Sequence, residues 1–307
     1  MKRFIKNIII FGVALFGFLI VCDAITTYAF HQKNTRKYAI WNDILHTDID
    51  AEVLIMGNSR AWCMYSPAIL DSILETNTYN IGFDGSCFDR QAARYDIYRH
   101  YQKAKPKCII QNVEYFTLGK TEGYEREQFM PYMMYPYFRK RIQGAESFSF
   151  GELYIPMYRY YVNNFYEDYN KFDYVLTKGY YAREIGWDGS KLDDTEPYIQ
   201  NVDSNSLHLF VDYIEHTKQE GIALVLVIAP SYKEVSKVVL NMDEIHQLFY
   251  DLSKKYDIPL LDYSDSYISQ DTIYFYNASH LNKEGAEQFS KQLAIDIDSL
   301  YYQLTTR

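Results

Sequence analysis

Five short apolar runs constrain this chain more than any other feature: EVLIMG (52–57), TYNIGF (78–83), KCIIQNVEYF (107–116), IALVLVIAP (222–230) and IPLLDYS (258–264). Apolar residues on consecutive rather than alternate positions, over so few residues, suit strands buried on both faces. Between the runs lie stretches of helical period: SPAILDSILE, FDRQAARYDIYRHYQKA, NSLHLFVDYIEHTKQE, NMDEIHQLFYDLSKKY and the C-terminal KEGAEQFSKQLAIDIDSLYYQL. This alternation predicts an α/β fold with a flavodoxin-like, three-layer α/β/α arrangement around a five-stranded parallel sheet.

The alternation breaks between about 117 and 201, where thirteen tyrosines fall between Tyr124 and Tyr181. That interval reads as an insertion after the third strand. It is either an aromatic-cored cap or a wall for a sugar or acyl group, since tyrosine joins an apolar ring to a polar tip. The N-terminus reads MKRFIKNIIIFGVALFGFLIVCDAI: three cations, then an uncharged stretch from Asn7 to Cys22. Its length lies between a signal-peptide core and a spanning helix of about 20 residues. Cys22-Asp-Ala24 makes a mediocre cleavage site, so an uncleaved anchor is expected. The predicted organisation is a membrane anchor or signal segment at 1–25, a juxtamembrane stretch at 26–50, and an α/β domain at 51–307 carrying the insertion. Lys33, Arg36 and Lys37 offset the basic N-terminus, and export of the globular part is the expected topology.

A net charge of −9 without a long basic run argues against a nucleic-acid groove. Cys63, Cys87 and Cys108 lie outside the apolar segment, cannot all pair with one another, and have no C-x-x-C spacing. No His/Asp/Glu cluster has metal-ligand spacing and no phosphate-loop or dinucleotide fingerprint occurs, so no cofactor is implied.

Chemistry is suggested by three stretches. In VLIMGNSRAW (53–62), a strand ends at Gly57 and Ser59 falls in the turn before a helix, where an α/β sheet exposes side chains at its carboxyl edge. Ser59 there can be a nucleophile or a helix cap. In NIGFDGSCF (80–88), Gly82 and Gly85 close the next strand; they make an ordinary turn or a loop that offers an amide N–H to an oxyanion. In YFYNASHLNKEGAEQFS (275–291), His280 stands at the mouth of a helix that Ser279 or Asn282 can cap.

In this order the three stretches resemble the SGNH/GDSL hydrolase family over most of residues 50–300. GNS resembles its first block with Asn58 in place of Asp, NIGFDG its second, and NASHLNKEGAEQFS its last as found in the membrane-anchored envelope branch. That branch includes the teichoic-acid D-alanylation protein and O-acetylation proteins. The resemblance implies Ser59 as nucleophile, His280 as base, and the N–H groups of Ser59 and Gly85 as oxyanion donors. The third block departs: QNVEYFT stands where G-x-N-D is expected, and Asn112 or Glu114, which share a strand face, can project there. Asn277 occupies the aspartate's place. Its carbonyl oxygen can accept from the imidazole, as in Cys-His-Asn enzymes, and a backbone carbonyl, Asp265 or Asp271 could orient the ring instead. Arg60 is expected either to bind an anionic substrate group, with Glu114 also near substrate, or to form a surface salt bridge. Cys63 is expected to be a buried small hydrophobe.

The expectation is therefore a membrane-anchored, outward-facing serine esterase or O-acyltransferase acting on acyl esters of cell-envelope glycans. The alternative is a catalytically weakened accessory protein of the same fold that assists a membrane-bound acyltransferase.

Overall fold

The apolar runs become five parallel strands, β1 Val53–Met56, β2 Thr78–Asn80, β3 Cys108–Asn112, β4 Ala223–Ile228 and β5 Leu260–Asp262, ordered β2-β1-β3-β4-β5. The computed structural model describes residues 1–121, 126–145, 147–162, 176–190 and 196–305. By its internal contacts the chain divides into two units, residues 43–122 with 175–307 and residues 1–42 with 123–174.

The first of these units is the α/β layer structure. Strands β1 and β3 are buried along their whole length and β4 nearly so, as strands covered on both faces must be. Helices Phe88–Tyr101, Ser204–Gln219 and Met242–Tyr256 cover one face, with Phe88 edge-on to Phe210 at 4.7 Å and Phe210 to Phe249 at 5.7 Å. Burying each of these rings is worth about 1.5–3 kcal/mol. Helices Ser59–Met64, Pro67–Leu74 and Lys283–Thr305 cover the other face; Tyr65 packs on Phe289 at 5.0 Å, and the Ser66 N–H donates to Ser290 Oγ at 2.9 Å.

From β1 the chain moves out to the edge strand β2, then crosses back to β3 on the other side of β1. The loops after β1 and β3 therefore run to opposite faces and leave a crevice at the carboxyl ends, where open α/β sheets bind ligands.

Two local departures from the sequence reading shape this crevice. The third run was expected to stay extended to 116, yet β3 stops at Asn112. There the Val113 N–H still bonds Val227 O at 2.8 Å, but the Glu114 N–H turns to Thr117 Oγ1 at 2.9 Å and Thr117 N–H closes on Glu114 O at 3.0 Å. His280, expected at the mouth of a helix, lies instead in an antiparallel hairpin of β6 Phe275–Asn277 and β7 His280–Leu281. The following helix starts at Lys283. Of the two expected caps it is Asn282 that serves, its Oδ1 accepting from Gly285 N–H at 3.0 Å while its Nδ2 donates to Ile273 O at 2.6 Å.

In the other unit, helix Lys2–His31 is long and apolar enough to cross a membrane. Its C-terminal turns gather parts of the interval 123–174: Thr27 Oγ1 and Tyr160 Oη lie 2.5 Å apart, Phe30 stacks on Tyr160 at 5.8 Å, and His31 stacks on Tyr132 at 5.1 Å. Trp41 packs edge-on to Phe138 at 5.1 Å and donates from its indole N–H to Gln128 Oε1 at 3.0 Å. The Tyr-rich interval is thus shared: its described residues from 126 to 162 belong here, and those up to 121 and from 176 belong to the α/β unit. Tyr124, Tyr166, Tyr169 and Tyr174 lie outside the described residues.

Candidate active site

Ser59 opens the helix that follows β1, and its half-buried side chain stands at the crevice. The turn that places it depends on Gly57, whose φ of +144° is open to glycine alone among ordinary residues. A Cβ there would fall 2.7 Å from Ala61 Cβ and 2.8 Å from Asn112 Cβ, so a glycine is what lets β1 end hard against β3.

His280 reaches Ser59 from the hairpin. Its Nε2 is 2.8 Å from Ser59 Oγ, and its Nδ1 is 2.9 Å from Asn277 Oδ1. The tautomer follows from a third bond. Asn277 Oδ1 also accepts from the Ser279 backbone N–H at 3.0 Å, which fixes the amide with its oxygen toward the imidazole. A carbonyl oxygen can only accept, so Nδ1 carries the hydrogen and Nε2 is left with a lone pair facing the serine hydroxyl. Burial first, then the positive charges of Arg60 and Arg183, pushes the His280 pKa down to about 3. The ring is neutral at any ordinary pH and able to accept a proton, but among the described residues no carboxylate bonds it to support the cation it would become.

No family model and no curated protein matches the chain. Among solved structures it is similar to a protein of Bacteroides fragilis described as an acylhydrolase, at 13% identity over 80% of this chain and 87% of that one, with a TM-score of 0.41. It is also similar to a G-D-S-L family lipolytic protein of Desulfitobacterium hafniense, at 13% identity over 79% and 97% with a TM-score of 0.42. A third is a GDSL-like lipase of Bacteroides thetaiotaomicron, at 12% identity over 81% and 89% with a TM-score of 0.38.

Beneath the serine lies a buried polar network that accounts for Asn58. Its Oδ1 caps the helix by accepting from Arg60 N–H at 3.0 Å, and its Nδ2 donates to Glu114 Oε1. Glu114 Oε2 pairs with Arg60 Nη1 at 3.1 Å, and Arg60 Nη2 donates to the carbonyls of Ala229 and Pro230, both at 2.7 Å. An aspartate at 58 would set two carboxylates against each other, whereas the amide supplies the donor Glu114 needs. Arg60 and Glu114 are 2% and 3% exposed. Both were expected near substrate; their charged ends are instead turned on each other and on backbone carbonyls, away from any solute. The ion pair is buried and not the surface bridge that was the other expectation for Arg60.

Asn112 is fully buried too, with Oδ1 accepting from Tyr65 Oη–H at 2.7 Å and Nδ2 without a partner among the described residues. In this arrangement its amide does not reach the crevice surface. Gly85 has a φ of +65° in the loop after β2, and no acceptor among the described residues takes the N–H of Gly85 or of Ser59. Of the two alternative carboxylates, Asp271 caps the turn Thr272–Tyr274 through Ile273 N–H at 3.1 Å. Neither it nor Asp265 bonds the imidazole, which Asn277 holds. Cys63 is buried, its thiol pushed up to about 12 by desolvation.

Sequence reasoning missed a set of aromatic and cationic neighbours. Tyr276 stacks on His280 at 5.3 Å, and the Arg183 guanidinium lies 4.7 Å from the ring centres of both Tyr276 and Tyr181. Tyr181 in turn stacks on Trp62 at 4.8 Å. Tyr276, one residue before Asn277, was the only one with a local signal. Beside His280 opens a pocket of about 740 Å³ whose lining includes Tyr115, Trp187, Asp188, Tyr198 and Val239.

Proposed function

We propose that the chain is an SGNH-like serine esterase or O-acyltransferase, with Ser59 as nucleophile and His280 as base. The observation that supports it is the pair of bonds on opposite nitrogens of one imidazole, Ser59 Oγ at 2.8 Å and Asn277 Oδ1 at 2.9 Å. A neutral ring whose Nδ1–H is held and whose Nε2 faces a hydroxyl is the arrangement general-base activation of a serine needs.

In the proposed reaction Ser59 Oγ bonds to the ester carbonyl carbon while its proton passes to His280 Nε2. The oxyanion is received by the N–H groups of Ser59 and Gly85. Collapse breaks the bond to the alcohol, which takes the proton from Nε2 and leaves an acyl-serine. Water or a sugar hydroxyl then attacks the acyl carbon, giving up its proton to Nε2; the acyl–Oγ bond breaks and Ser59 Oγ takes that proton back, restoring the hydroxyl and the neutral ring. Water as acceptor makes an esterase; a hydroxyl makes a transferase. Acyl esters of envelope glycans are the substrate class implied by the resemblance of NASHLNKEGAEQFS, with the domain outside the cytoplasm and a membrane-bound acyltransferase as its partner. The site-adjacent pocket, walled by Tyr115, Trp187 and Tyr198, suits a ring-shaped ligand.

One observation favours the accessory reading. Asn277 is neutral, and a depressed His280 pKa makes proton transfer from serine harder. A fluorophosphonate probe on the full-length protein tests the choice, since it reacts with an activated serine and spares an ordinary one. The expected result is labelling that Ser59→Ala and His280→Ala each abolish. Absence of labelling in a protein whose circular dichroism confirms its fold would favour the accessory role.

A further inference from the structure

The segment 150–162 ties itself to one short stretch of helix Lys2–His31. Asp23 Oδ1 accepts from the Met157 N–H at 2.9 Å and Asp23 pairs with Arg159; one turn later Thr27 meets Tyr160. These anchors fall just past the end of the uncharged run, Asn7 to Cys22, which rises roughly 24 Å at 1.5 Å per residue. A hydrocarbon core is about 30 Å thick and the bilayer with its headgroup layers about 40–45 Å, leaving roughly 5–8 Å of headgroup layer on each side. With the core ending at Cys22, Asp23 lies inside that layer and Thr27, about 8 Å further along the helix, at its outer edge.

What the segment around these anchors shows to solvent is apolar and aromatic. Phe150 is 72% exposed, Tyr154 56% and Tyr161 81%, with Ile155, Tyr158 and Val162 also exposed. Its helices Phe150–Tyr154 and Tyr158–Val162 are well made, the first by a capping box in which Ser149 and Glu152 bond reciprocally. The exposure is therefore that of ordered structure. Arg139 lies 5.9 Å from the Tyr154 ring, which adds a cation suited to phosphate beside the segment. Rings with polar tips, at the end of an apolar helix and next to a cation, match the chemistry of a membrane–water interface.

We propose that residues 150–162 lie in the headgroup layer of the bilayer crossed by helix Lys2–His31, so that the protein is held by an interfacial aromatic segment as well as by the helix. The occupant of this apolar face is phospholipid. The segment stiffens the exit of the helix and limits how far the second part of its own unit can swing from the bilayer.

The test uses the full-length chain in nanodiscs of mixed zwitterionic and anionic phospholipid, one copy per disc. The half-buried Cys22 is removed by Cys22→Ala, and an environment-sensitive dye is placed on Tyr161→Cys or Phe150→Cys. Gly12→Cys, where a side chain meets nothing within 4 Å, marks the bilayer core. Lipids carrying a quencher near the headgroup are expected to extinguish dye at 150 and 161 more than lipids quenched deep in the tails, with the opposite order at 12. Dye at 150 and 161 that responds to neither lipid overturns the proposal, as does protection of those sites only when discs hold two copies, which would mean that a second chain covers the face.

Discussion

Replacing Asn277 by aspartate isolates what a charge contributes to this site. Both present bonds survive the change, because an aspartate oxygen can still accept from Ser279 N–H, now at 3.0 Å, and from His280 Nδ1–H, now at 2.9 Å. Only a negative charge is added. A unit charge about 4 Å from the imidazolium, at the effective dielectric of about 20 that suits protein sites, is worth about 4 kcal/mol. At 1.36 kcal/mol per pKa unit that raises the histidine by about 3 units, from about 3 to near 6. Since proton transfer is only partly complete when the serine attacks, a part of this reaches the barrier. The labelling rate at pH 7 should then rise about 10–10²-fold, in the direction of, and smaller than, the roughly 10⁴-fold loss when a serine protease undergoes the reverse change. The pH profile supplies a second, independent mark. The native site keeps its base neutral well below pH 6, so its rate should stay level between pH 8 and 5. The aspartate variant should lose rate as pH falls through its raised pKa. Rate constants for fluorophosphonate labelling across that range measure both. An unchanged rate with an unchanged profile would refute the assignment of Asn277 as the group that orients His280.

Asn58→Asp should destabilise the fold by about 2–4 kcal/mol, because it turns the donor to buried Glu114 into a second acceptor; urea unfolding measures it, and an unchanged midpoint would contradict the network. Glu114→Ala should cost about 3–5 kcal/mol by leaving the Arg60 cation buried without its carboxylate, read from the same transition. Gly57→Ala should cost more than its one added methyl suggests, roughly 2–4 kcal/mol, since it combines φ strain with contacts of 2.7 and 2.8 Å; a thermal melt equal to the parent's would count against that turn. Stability should also respond to acid through His280. Its folded pKa is lowered, so the unfolded chain binds more protons below about pH 6.5, and stability is lost as pH falls from there toward the folded value. The stability gap between the native protein and His280→Gln should accordingly narrow between pH 7 and 4.5.

Much of this architecture is written in local pattern. The five apolar runs and the intervening helical periods needed no distant information, because strand and helix preferences are set by residues a few positions apart. Asn277 entered as one of several candidate partners of His280, and through a resemblance, not through local pattern; it is the two-strand hairpin that brings its amide oxygen to the ring. Ser59 could be named only as a side chain at a strand end with a choice of roles. Its meeting with a histidine 221 positions away depends on which helix the hairpin packs beside. Arg60 and Glu114 mark the limit most clearly. As letters they are two charges suited to a surface, yet β1 and β3 pair in a register that sets both turns together under the serine and closes them off from water. Desolvation of that kind depends on everything packed around a group, and so it is decided by the tertiary structure; the sequence by itself determined the elements and the candidates they carry.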